Sequence, residues 1–428
     1  MLKISWRKTI LSKTGFEDVI IVGVQKEETD YDFHYSLDEL ENLVNNAHGR
    51  VVGRISQKRD SLDQKTFVGK GKLKEIKDLV EAKEATCLIF NQELSPSHVR
   101  NIQDFINVKV LDRIQVILDI FAMRAQSKAG RLQVELAQLN YLLPRLAGQG
   151  ENLSRLGGGI GTRGPGETKL ETDRRHIQKQ ISDIKKELVK LADHRKRSRQ
   201  KRQESQVVQI GLIGYTNAGK STLLNKLTGS QSLEKDILFA TLDPITRQLT
   251  LPSGLQVTLT DTVGFIKDLP TQLIESFKST LEESRQADIL LHLVDASSPN
   301  RVSQEDTVVA LLEDLDMEDI PRLTVYNKKD KLDQAFTPLA FPNLLISALD
   351  DQDITYLKSS IENFLMDQIM ATYQVDLPAS RGDIYSALQQ GTIVKKEKFD
   401  KTNQSYKIEG YAKKDSYWQT LLEEGVDG

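Results

Sequence analysis

Short apolar runs alternate with helical patterns over the first quarter of the chain. The runs cover residues 19–24, 51–56, 88–90 and 108–111, and apolar residues at helical spacing fill 37–47, 72–82 and 97–105 between them. Buried strands that alternate with amphipathic helices are typical of an α/β domain. Residues 1–111 are therefore predicted to form an N-terminal α/β domain.

A turn rich in glycine and lysine lies inside this predicted domain. Residues 67–72 read FVGKGK, which places two glycines and two lysines at the start of a helix. Such a turn can bind an anion, because the first backbone N–H groups of a helix have no partner within the helix. The alternative is a plain tight turn. A second nucleotide site in this domain is predicted only if the turn binds an anion.

The next segment carries two apolar seams of equal length. Apolar residues recur at steps of 4, 3, 4 and 3 in both seams. At 1.5 Å per residue each seam covers roughly 21 Å, so the two helices can pair as an antiparallel hairpin. The alternative is that they pack into an ordinary core. The seams are Leu132, Leu136, Leu139, Leu143, Leu146 and Ile177, Ile181, Ile184, Leu188, Leu191.

Glycine and basic residues fill the stretch between the seams. Residues 156–169 read LGGGIGTRGPGETK, Arg155 precedes them, and a basic run, RKRSRQKR, occupies 195–202. Glycine lets the backbone come close to a phosphate or a base, and Lys and Arg supply positive charge. Segment 112–205 is therefore predicted to be a helical hairpin whose tip contacts nucleic acid, in preference to a passive loop.

The distribution of charge favours the same interpretation. The whole chain has a net charge of -3, whereas residues 124–205 contain 19 Lys or Arg against 9 Asp or Glu, which leaves -13 for the remainder. A basic segment beside acidic domains is typical of a protein that binds a phosphate backbone.

A strand, a glycine loop and a helix follow one another from residue 207. The apolar run 207–213 leads into GYTNAGKS at 214–221, which fits GxxxxGK[ST], and a helical pattern begins at Thr222. In this pattern the loop N–H groups surround the β-phosphate. Lys220 is expected to reach β- and γ-phosphate oxygens, and the Ser221 hydroxyl is expected to bind magnesium.

Partners for the metal and the γ-phosphate follow in order. Asp261-Thr262-Val263-Gly264 closes the apolar run 255–259. Asp261 is expected to hold a magnesium-bound water and Gly264 to contact the γ-phosphate. Between the two motifs, the sequence FATLDP at 239–244 offers Thr241 as a second protein ligand of magnesium, with Thr246 as the alternative.

The base is predicted to be guanine. Asn327-Lys328-Lys329-Asp330 follows the strand 323–326, and Ser347-Ala348-Leu349 follows the strand 344–346. The Asp330 carboxylate can accept hydrogen bonds from N1–H and the 2-amino group of guanine, whereas adenine would leave it unpaired. Backbone donors of 347–349 are expected to bind the guanine carbonyl oxygen, so GTP and GDP are the predicted ligands.

The full set of predicted site residues follows from these motifs. Lys220, Thr241 and Gly264 are expected nearest the reaction, and Ser221, Thr241 and Asp261, the last through water, around Mg²⁺. The predicted nucleotide contacts are Gly214, Tyr215, Thr216, Asn217, Ala218, Gly219, Lys220, Ser221, Thr222, Phe239, Ala240, Thr241, Leu242, Asp243, Asp261, Thr262, Val263, Gly264, Asn327, Lys328, Lys329, Asp330, Ser347, Ala348 and Leu349.

One part of a Ras-like site is replaced. The residue after DxxG is Phe265, where Ras-like enzymes have the glutamine that orients the attacking water. Intrinsic hydrolysis is therefore expected to be slow until a partner, a reshaped switch or a cation completes the site. Asn217 stands where some GTPases use asparagine to help hold K⁺; the alternative is that it hydrogen-bonds the switch region.

Composition sets the broad class. The 428 residues are 39% hydrophobic and 28% charged, as in globular proteins with several domains. Cys87 is the only cysteine, which excludes a disulfide framework or a cysteine zinc cluster within one chain. The first residues do not resemble a signal peptide, and no apolar stretch is long enough to span a bilayer. A cytoplasmic monomer without membrane insertion is expected.

Three further motifs resemble those of the bacterial HflX GTPases. They are FVGKGK at 67–72, the segment from LDRI at 111–114 to QSKAGRLQVELA at 126–137, and GGGIGTRGPGET at 157–168. With the GTPase motifs, the resemblance covers about residues 1–365. It implies an N-terminal domain with a helical hairpin, Phe265 as a family habit, and binding to ribosomal RNA of the large subunit near the peptidyl-transferase region. It also implies splitting or rescue of stalled ribosomes under stress.

The expected architecture is α/β with four segments. A Ras-like P-loop GTPase domain at 206–370 follows the N-terminal domain and hairpin, and residues 371–428 form a small C-terminal α+β domain. A helix at 381–388 and a hairpin of 392–396 with 405–411 are predicted in that last domain. A rival function is an RNA-binding scaffold in which GTP acts as a slow conformational signal.

Overall fold

The computed structural model describes residues 16–146, 165–204, 207–229, 239, 244–267, 284–333, 335–414, 416 and 418, of which 165–170, 193–204 and 284 are described by their backbone alone. Residues 156–164 of the predicted glycine-rich tip lie outside the described residues, whereas 165–169 belong to the backbone of a helix that begins at Pro165. The chain divides into two compact units, with the division between Val189 and Lys190. Among the described residues, no helix combines the length and apolar character needed to cross a membrane.

The N-terminal domain is a parallel sheet flanked by helices, as predicted. Its strands lie in the order β2-β1-β3-β4, and every pairing is parallel. The strands are β1 (Glu17–Gln25), β2 (Gly49–Lys58), β3 (Cys87–Phe90) and β4 (Lys109–Asp112). The helices are α1 (Asp30–Asn46), α2 (Lys70–Lys83) and α3 (Pro96–Ile106), and a further helix, α4 (Arg113–Arg124), follows β4 directly.

Local signals start these helices. Thr29 caps α1 by accepting a hydrogen bond from the N–H of Asp32, and Ser95 caps α3 in a capping box with His98. The predicted turn before α2 places Gly69 at the N-cap position, where its N–H donates to Gln57 Oε1 at 3.1 Å. A Cβ atom on Gly69 would lie 3.1 Å from Arg59 Nη1.

At the carboxyl edge of this sheet, the side chain of Gln92 pairs with the backbone of β1. In open parallel sheets, ligands bind where the strand order reverses, which is here between β1 and β3. At that point Gln92 accepts from the N–H of Val24 at 3.1 Å and donates to its carbonyl oxygen at 2.7 Å. These backbone groups are therefore already paired within the protein.

The two apolar seams form the predicted helix pair. Helix α5 (Lys128–Leu146) packs against α6 (Pro165–Glu204) through one apolar cluster. Lys128 at the start of α5 forms an ion pair with Glu187 at 2.5 Å, as an antiparallel pairing requires. The cluster contains Leu136, Leu139, Ile177 and Ile184, with Leu132, Leu143, Leu146, Ile181 and Leu188 packed against it.

The last turn of α5 is anchored to the N-terminal sheet. Arg145 donates to the carbonyl oxygen of Leu94 at 2.8 Å and to Asp112 Oδ2 at 3.2 Å. Its guanidinium lies 3.4 Å from the centre of the Tyr141 ring. Asp112 is fully buried and also accepts from the N–H of Leu94 at 3.1 Å and of Gln115 at 3.0 Å.

The GTPase domain is a six-stranded sheet in the order β10-β9-β8-β5-β7-β6, in which only the β6–β7 pair is antiparallel. Because the other strands are parallel, their carboxyl ends meet at one edge. The strands are β5 (Val208–Gly214), β6 (Ile245–Thr250), β7 (Gln256–Asp261), β8 (Ile289–Asp295), β9 (Arg322–Asn327) and β10 (Asn343–Leu345). Among the described residues of this domain, the α-helices are α7 (Lys220–Thr228), α8 (Arg301–Asp314) and α9 (Asp351–Gln368).

Over the described residues 370–414, the C-terminal domain is a three-stranded antiparallel sheet, β11-β13-β12, with a helix packed on it. The predicted helix and hairpin appear as α10 (Gly382–Gly391), β12 (Ile393–Asp400) and β13 (Ser405–Lys413). The strand β11 (Met370–Pro378) is an addition that the sequence pattern did not predict.

Candidate functional site

The predicted phosphate loop connects β5 to α7 and requires glycine at both ends. Gly214 has a φ of 150°, and a Cβ atom there would lie 2.2 Å from the carbonyl oxygen of Leu293. Gly219 has a φ of 96°, and a Cβ atom there would lie 2.5 Å from Asn327 Nδ2. These close approaches exclude larger residues and bring the loop against β8 and β9.

Lys220 is buried beneath this loop. Its ammonium donates to the carbonyl oxygens of Gly214 at 2.9 Å and Tyr215 at 2.8 Å. Burial lowers its pKa to about 8, although the nearby Asp261 carboxylate opposes the shift. The side chain is thus fixed at the loop, where an added anion would strongly favour its charged form.

Oxygen ligands gather beside the lysine. Asp261 ends β7 directly beside β5 and is fully buried, and Ser221 Oγ donates to its Oδ2 at 3.0 Å. Thr262 donates to the carbonyl oxygen of Leu212 at 2.9 Å, which ties the end of β7 to β5. A hydroxyl and a carboxylate are ligands that suit a hard cation such as Mg²⁺.

The segment after Asp261 is paired to the phosphate loop. The N–H of Phe265 donates to the carbonyl oxygen of Gly214 at 3.1 Å, and its own carbonyl oxygen accepts from the N–H of Thr216 at 2.7 Å. The N–H of Lys267 donates to the hydroxyl of Tyr215 at 2.8 Å. The Phe265 side chain is only 2% exposed, so it is directed into the core and away from solvent.

Gly264 lies close to Lys220. A Cβ atom on Gly264 would lie 3.0 Å from Lys220 Nζ and 3.0 Å from Thr216 Cγ2. A Cβ atom at position 264 would therefore crowd both Lys220 and Thr216. Glycine lets the backbone come this close to the ammonium without moving either side chain.

Asn327 joins the phosphate loop to the second predicted loop. Its Nδ2 donates to the carbonyl oxygen of Ala218 at 2.9 Å, and its Oδ1 accepts from the N–H of Ala348 at 2.8 Å. The adjacent Lys328 donates to the carbonyl oxygen of Asn217 at 2.8 Å and pairs with Asp295 at 2.7 Å. The phosphate and base motifs are thus held in register by two neighbouring side chains.

The carboxylate predicted to read the base is positioned by Ser347. Ser347 Oγ donates to Asp330 Oδ1 at 2.5 Å, while Asp330 itself is exposed. The backbone donors expected to bind guanine have protein acceptors in this structure: the N–H of Ser347 donates to Asp353 Oδ2 at 2.7 Å, and that of Leu349 to Ser347 Oγ at 3.3 Å. One of these amides would have to exchange its acceptor to bind a carbonyl oxygen of the base.

The structure therefore brings together the loop 214–222, the 261–264 motif, and both base motifs at one edge of the sheet. Phe239 is buried with a φ of 54°, whereas the predicted contacts Ala240, Thr241, Leu242 and Asp243 lie outside the described residues. Sequence reasoning missed Asp295 and Asp353, which belong to no spacing pattern and act only through contacts across the fold.

Comparisons with known proteins agree with this geometry. Three family models match the chain: GTP-binding GTPase N-terminal over residues 34–122, GTP-binding GTPase Middle Region over 124–202, and 50S ribosome-binding GTPase over 209–328. Among curated proteins, the GTPase HflX of Alkalihalophilus pseudofirmus is 49% identical over 415 residues, covering 97% of this chain and 98% of that protein.

Two further curated relatives match over most of their length. The GTPase HflX of Caldanaerobacter subterraneus is 46% identical and spans 91% of this chain and 89% of its own length. The GTPase HflX of Escherichia coli is 40% identical and spans 84% and 86%, respectively. With a phosphate loop and guanine motifs in one P-loop domain, and with relatives matched over nearly their whole length, this chain belongs to the HflX family of GTPases.

Proposed function

We propose that this protein is a GTP-hydrolysing factor that binds the large ribosomal subunit and splits or rescues stalled ribosomes under stress. The observation that carries the proposal is the combination in one chain of a complete set of guanine-nucleotide motifs and a helical hairpin with a basic outer face. The match of residues 209–328 to a family described as a 50S ribosome-binding GTPase supports it.

The nucleotide is assigned to the edge formed by the phosphate loop and the base motifs. Lys220 holds the β- and γ-phosphates, and Asp330 accepts hydrogen bonds from the guanine edge, with Ser347 keeping the carboxylate in place. Gly264 brings a backbone N–H to the γ-phosphate without steric conflict with Lys220. Hydrolysis then yields GDP and phosphate.

Magnesium fits the residues that are present. Ser221 and Asp261 provide a hydroxyl and a carboxylate 3.0 Å apart beside the phosphate-binding lysine, and Thr241 is proposed as the further protein ligand. When bound, Mg²⁺ neutralises charge on the phosphate oxygens. Potassium is a separate proposal that rests on the exposed Asn217; comparing turnover in K⁺ and Na⁺ at equal ionic strength tests it.

The reaction needs a group that Phe265 does not provide. Its backbone is paired with the phosphate loop on both sides, and its side chain is buried, so it cannot orient a water molecule. A slow intrinsic rate and a large stimulation by a ribosomal partner are therefore expected.

The outer face of α6 is suited to ribosomal RNA. Arg175 and Lys186 have side-chain exposures of 78% and 72%, Lys179 is also exposed, and all three lie opposite the buried Ile177 and Ile184. Their ion pairs with neighbouring acids, at 3.3 Å for Arg175 and 3.8 Å for Lys186, are exposed and hence weak. Phosphates can displace such partners with release of counterions.

The decisive measurement is GTP turnover with and without large ribosomal subunits. Stimulation of about tenfold or more supports a ribosome-directed GTPase, since partner groups add at least that much in related phosphoryl transfer. No stimulation, with ribosome binding retained, supports the rival scaffold in which GTP is a slow conformational signal, an alternative favoured by the buried Phe265.

Charge removal tests the docking surface. Replacing Arg175, Lys179 and Lys186 with alanine should weaken ribosome binding and reduce its salt slope by about one unit per lost phosphate contact, with GTP affinity unchanged. Alanine at Lys395, Lys396 and Lys398 of β12 removes the same charge elsewhere and serves as the matched control. Deletion of residues 153–170 should act in the same direction. Equal ribosome affinity in every variant would defeat the docking proposal.

The segment boundaries at 111, 205 and 370, a monomeric state and a cytoplasmic, partly ribosome-associated location complete the proposal. Light scattering of the purified protein tests the monomer, and fractionation of cell extracts on a sucrose gradient tests the location.

A further inference from the structure

One carboxylate outside the nucleotide motifs contacts both loops that surround the predicted base. We propose that Asp353, in the first turn of α9, is a positioning residue that sets guanine selectivity by fixing the Asp330 carboxylate. The proposal concerns the GTPase site alone and holds whether or not the protein acts on ribosomes.

Two contacts connect Asp353 to the base-reading loops. Its Oδ2 accepts from the N–H of Ser347 at 2.7 Å, and its two oxygens lie 3.2 and 3.3 Å from Lys329 Nζ. The Asp353 side chain is 14% exposed, so water competes little for these contacts. One carboxylate therefore holds a residue of each motif.

Both contacts lead to Asp330. Ser347, whose backbone is fixed by Asp353, donates its hydroxyl to Asp330 Oδ1 at 2.5 Å. Lys329 precedes Asp330 in the chain, and its own N–H donates to the carbonyl oxygen of Ile346 at 3.1 Å. Loss of Asp353 would release the serine from one side of the carboxylate and the lysine from the other.

The neighbouring acids have different tasks, so Asp353 is not simply another helix cap. Asp350 is the N-cap residue of α9 and accepts from the N–H of Gln352 at 2.8 Å. Asp351 is 90% exposed and lies 3.4 Å from Lys226. Both Asp351 and Asp353 stabilise the positive end of the helix, but only Asp353 faces the base loops.

The expected consequence is a change in selectivity and not only in affinity. Guanine offers N1–H and a 2-amino group to a fixed carboxylate, whereas hypoxanthine offers N1–H alone. A carboxylate that is no longer held in place makes the second bond less well, because hydrogen bonds weaken steeply as their angle departs from linear. The preference for GDP over inosine diphosphate (IDP), whose base is hypoxanthine, should therefore decrease.

The experiment measures the ratio of the dissociation constants for IDP and GDP in the full-length protein. Asp353→Ala should reduce this ratio by about fivefold to tenfold, which is less than the full effect of one hydrogen bond to a charged group because the bond is weakened and not abolished. Asp353→Asn keeps an acceptor for the Ser347 N–H and loses only the charge, so its reduction should be smaller. Asp351→Ala, which removes the same helix-terminal charge, is the matched control and should leave the ratio unchanged.

A purely structural role predicts a different result. General destabilisation would lower the melting temperature and weaken GDP and IDP binding in proportion, with no change in the ratio. An unchanged ratio in Asp353→Ala, or an equal fall in Asp351→Ala, overturns the proposal. A fall confined to position 353, with Asp353→Asn intermediate, supports it.

Discussion

Replacing Asn327 with alanine should destabilise the protein even when no nucleotide is bound. The side chain is 3% exposed and joins two loops that are 109 and 21 residues distant from it in the chain, through the carbonyl oxygen of Ala218 and the N–H of Ala348. Its removal leaves both backbone groups without their partner in a region that water does not reach, since Ala218 and Ala348 are 1% and 3% exposed.

The size of the effect follows from these two groups. A buried polar group that loses its only partner costs about 1–3 kcal/mol, so two such groups give roughly 2–6 kcal/mol of destabilisation. That is a large part of the stability of one domain, which is about 5–15 kcal/mol. Asn327→Asp keeps an acceptor for Ala348 but sets a carboxylate oxygen against the Ala218 carbonyl, so it should be at least as damaging.

The assay is urea unfolding of the nucleotide-free protein, followed by a titration with GDP. Asn343→Ala is the control, because its side chain bonds the nearby carbonyl oxygen of Ala340 at 2.6 Å in a half-buried position. It should cost no more than about 1 kcal/mol. If Asn327→Ala unfolds at the same urea concentration as the wild type and loses only GDP affinity, Asn327 acts on the ligand alone. The two hydrogen bonds to Ala218 and Ala348 would then not stabilise the nucleotide-free protein, and the prediction would be wrong.

Three further outcomes are expected. Phe265→Gln should not raise the intrinsic GTPase rate by more than about twofold and should destabilise the domain, because the paired backbone directs the new amide into the core; rate and melting temperature report this together. Because burial lowers the pKa of Lys220 from 10.5 to about 8, only the unfolded chain holds that proton between these values, and the nucleotide-free protein should gain stability as pH rises through this window. Lys220→Met should remove that gain in urea midpoints measured from pH 7.5 to 10. Asp330→Asn replaces an acceptor by an amide donor that faces the base. Xanthine has a carbonyl oxygen in place of the 2-amino group of guanine, so the ratio of xanthosine diphosphate (XDP) affinity to GDP affinity should rise by at least about tenfold in a competition titration.

Motif spacing predicted the parts of this protein that depend on local sequence. The loop 214–221 must connect a strand to a helix, and the seams of α5 and α6 must face each other, so both were predictable. The first strand of the C-terminal sheet was not, because β11 takes its stability from pairing with β13, and even the nearest partners, Pro378 and Ser405, are 27 residues apart in the chain.

The contacts around the base loops were beyond sequence reasoning for a similar reason. Asp353 lies in an ordinary acidic first turn of a helix, and only the fold turns it toward Ser347 and Lys329. The backbone donors of 347–349 were predicted for guanine, yet in the folded chain they have protein acceptors, a competition that spacing cannot reveal. Local patterns thus predicted which motifs meet at the candidate site, whereas the contacts that support those motifs depend on the three-dimensional fold.

The anchorage of Arg145 gives the hairpin a fixed point of departure. Because its guanidinium is bound to Leu94, Asp112 and the Tyr141 ring, the orientation of the chain at residue 146 is settled when the N-terminal domain folds. A segment attached to a rigid part of the fold loses less conformational freedom when it binds a surface than a segment attached through a flexible part. The conformational entropy of orienting the hairpin is therefore lost when the N-terminal domain folds, and later binding to a surface does not have to overcome that loss again.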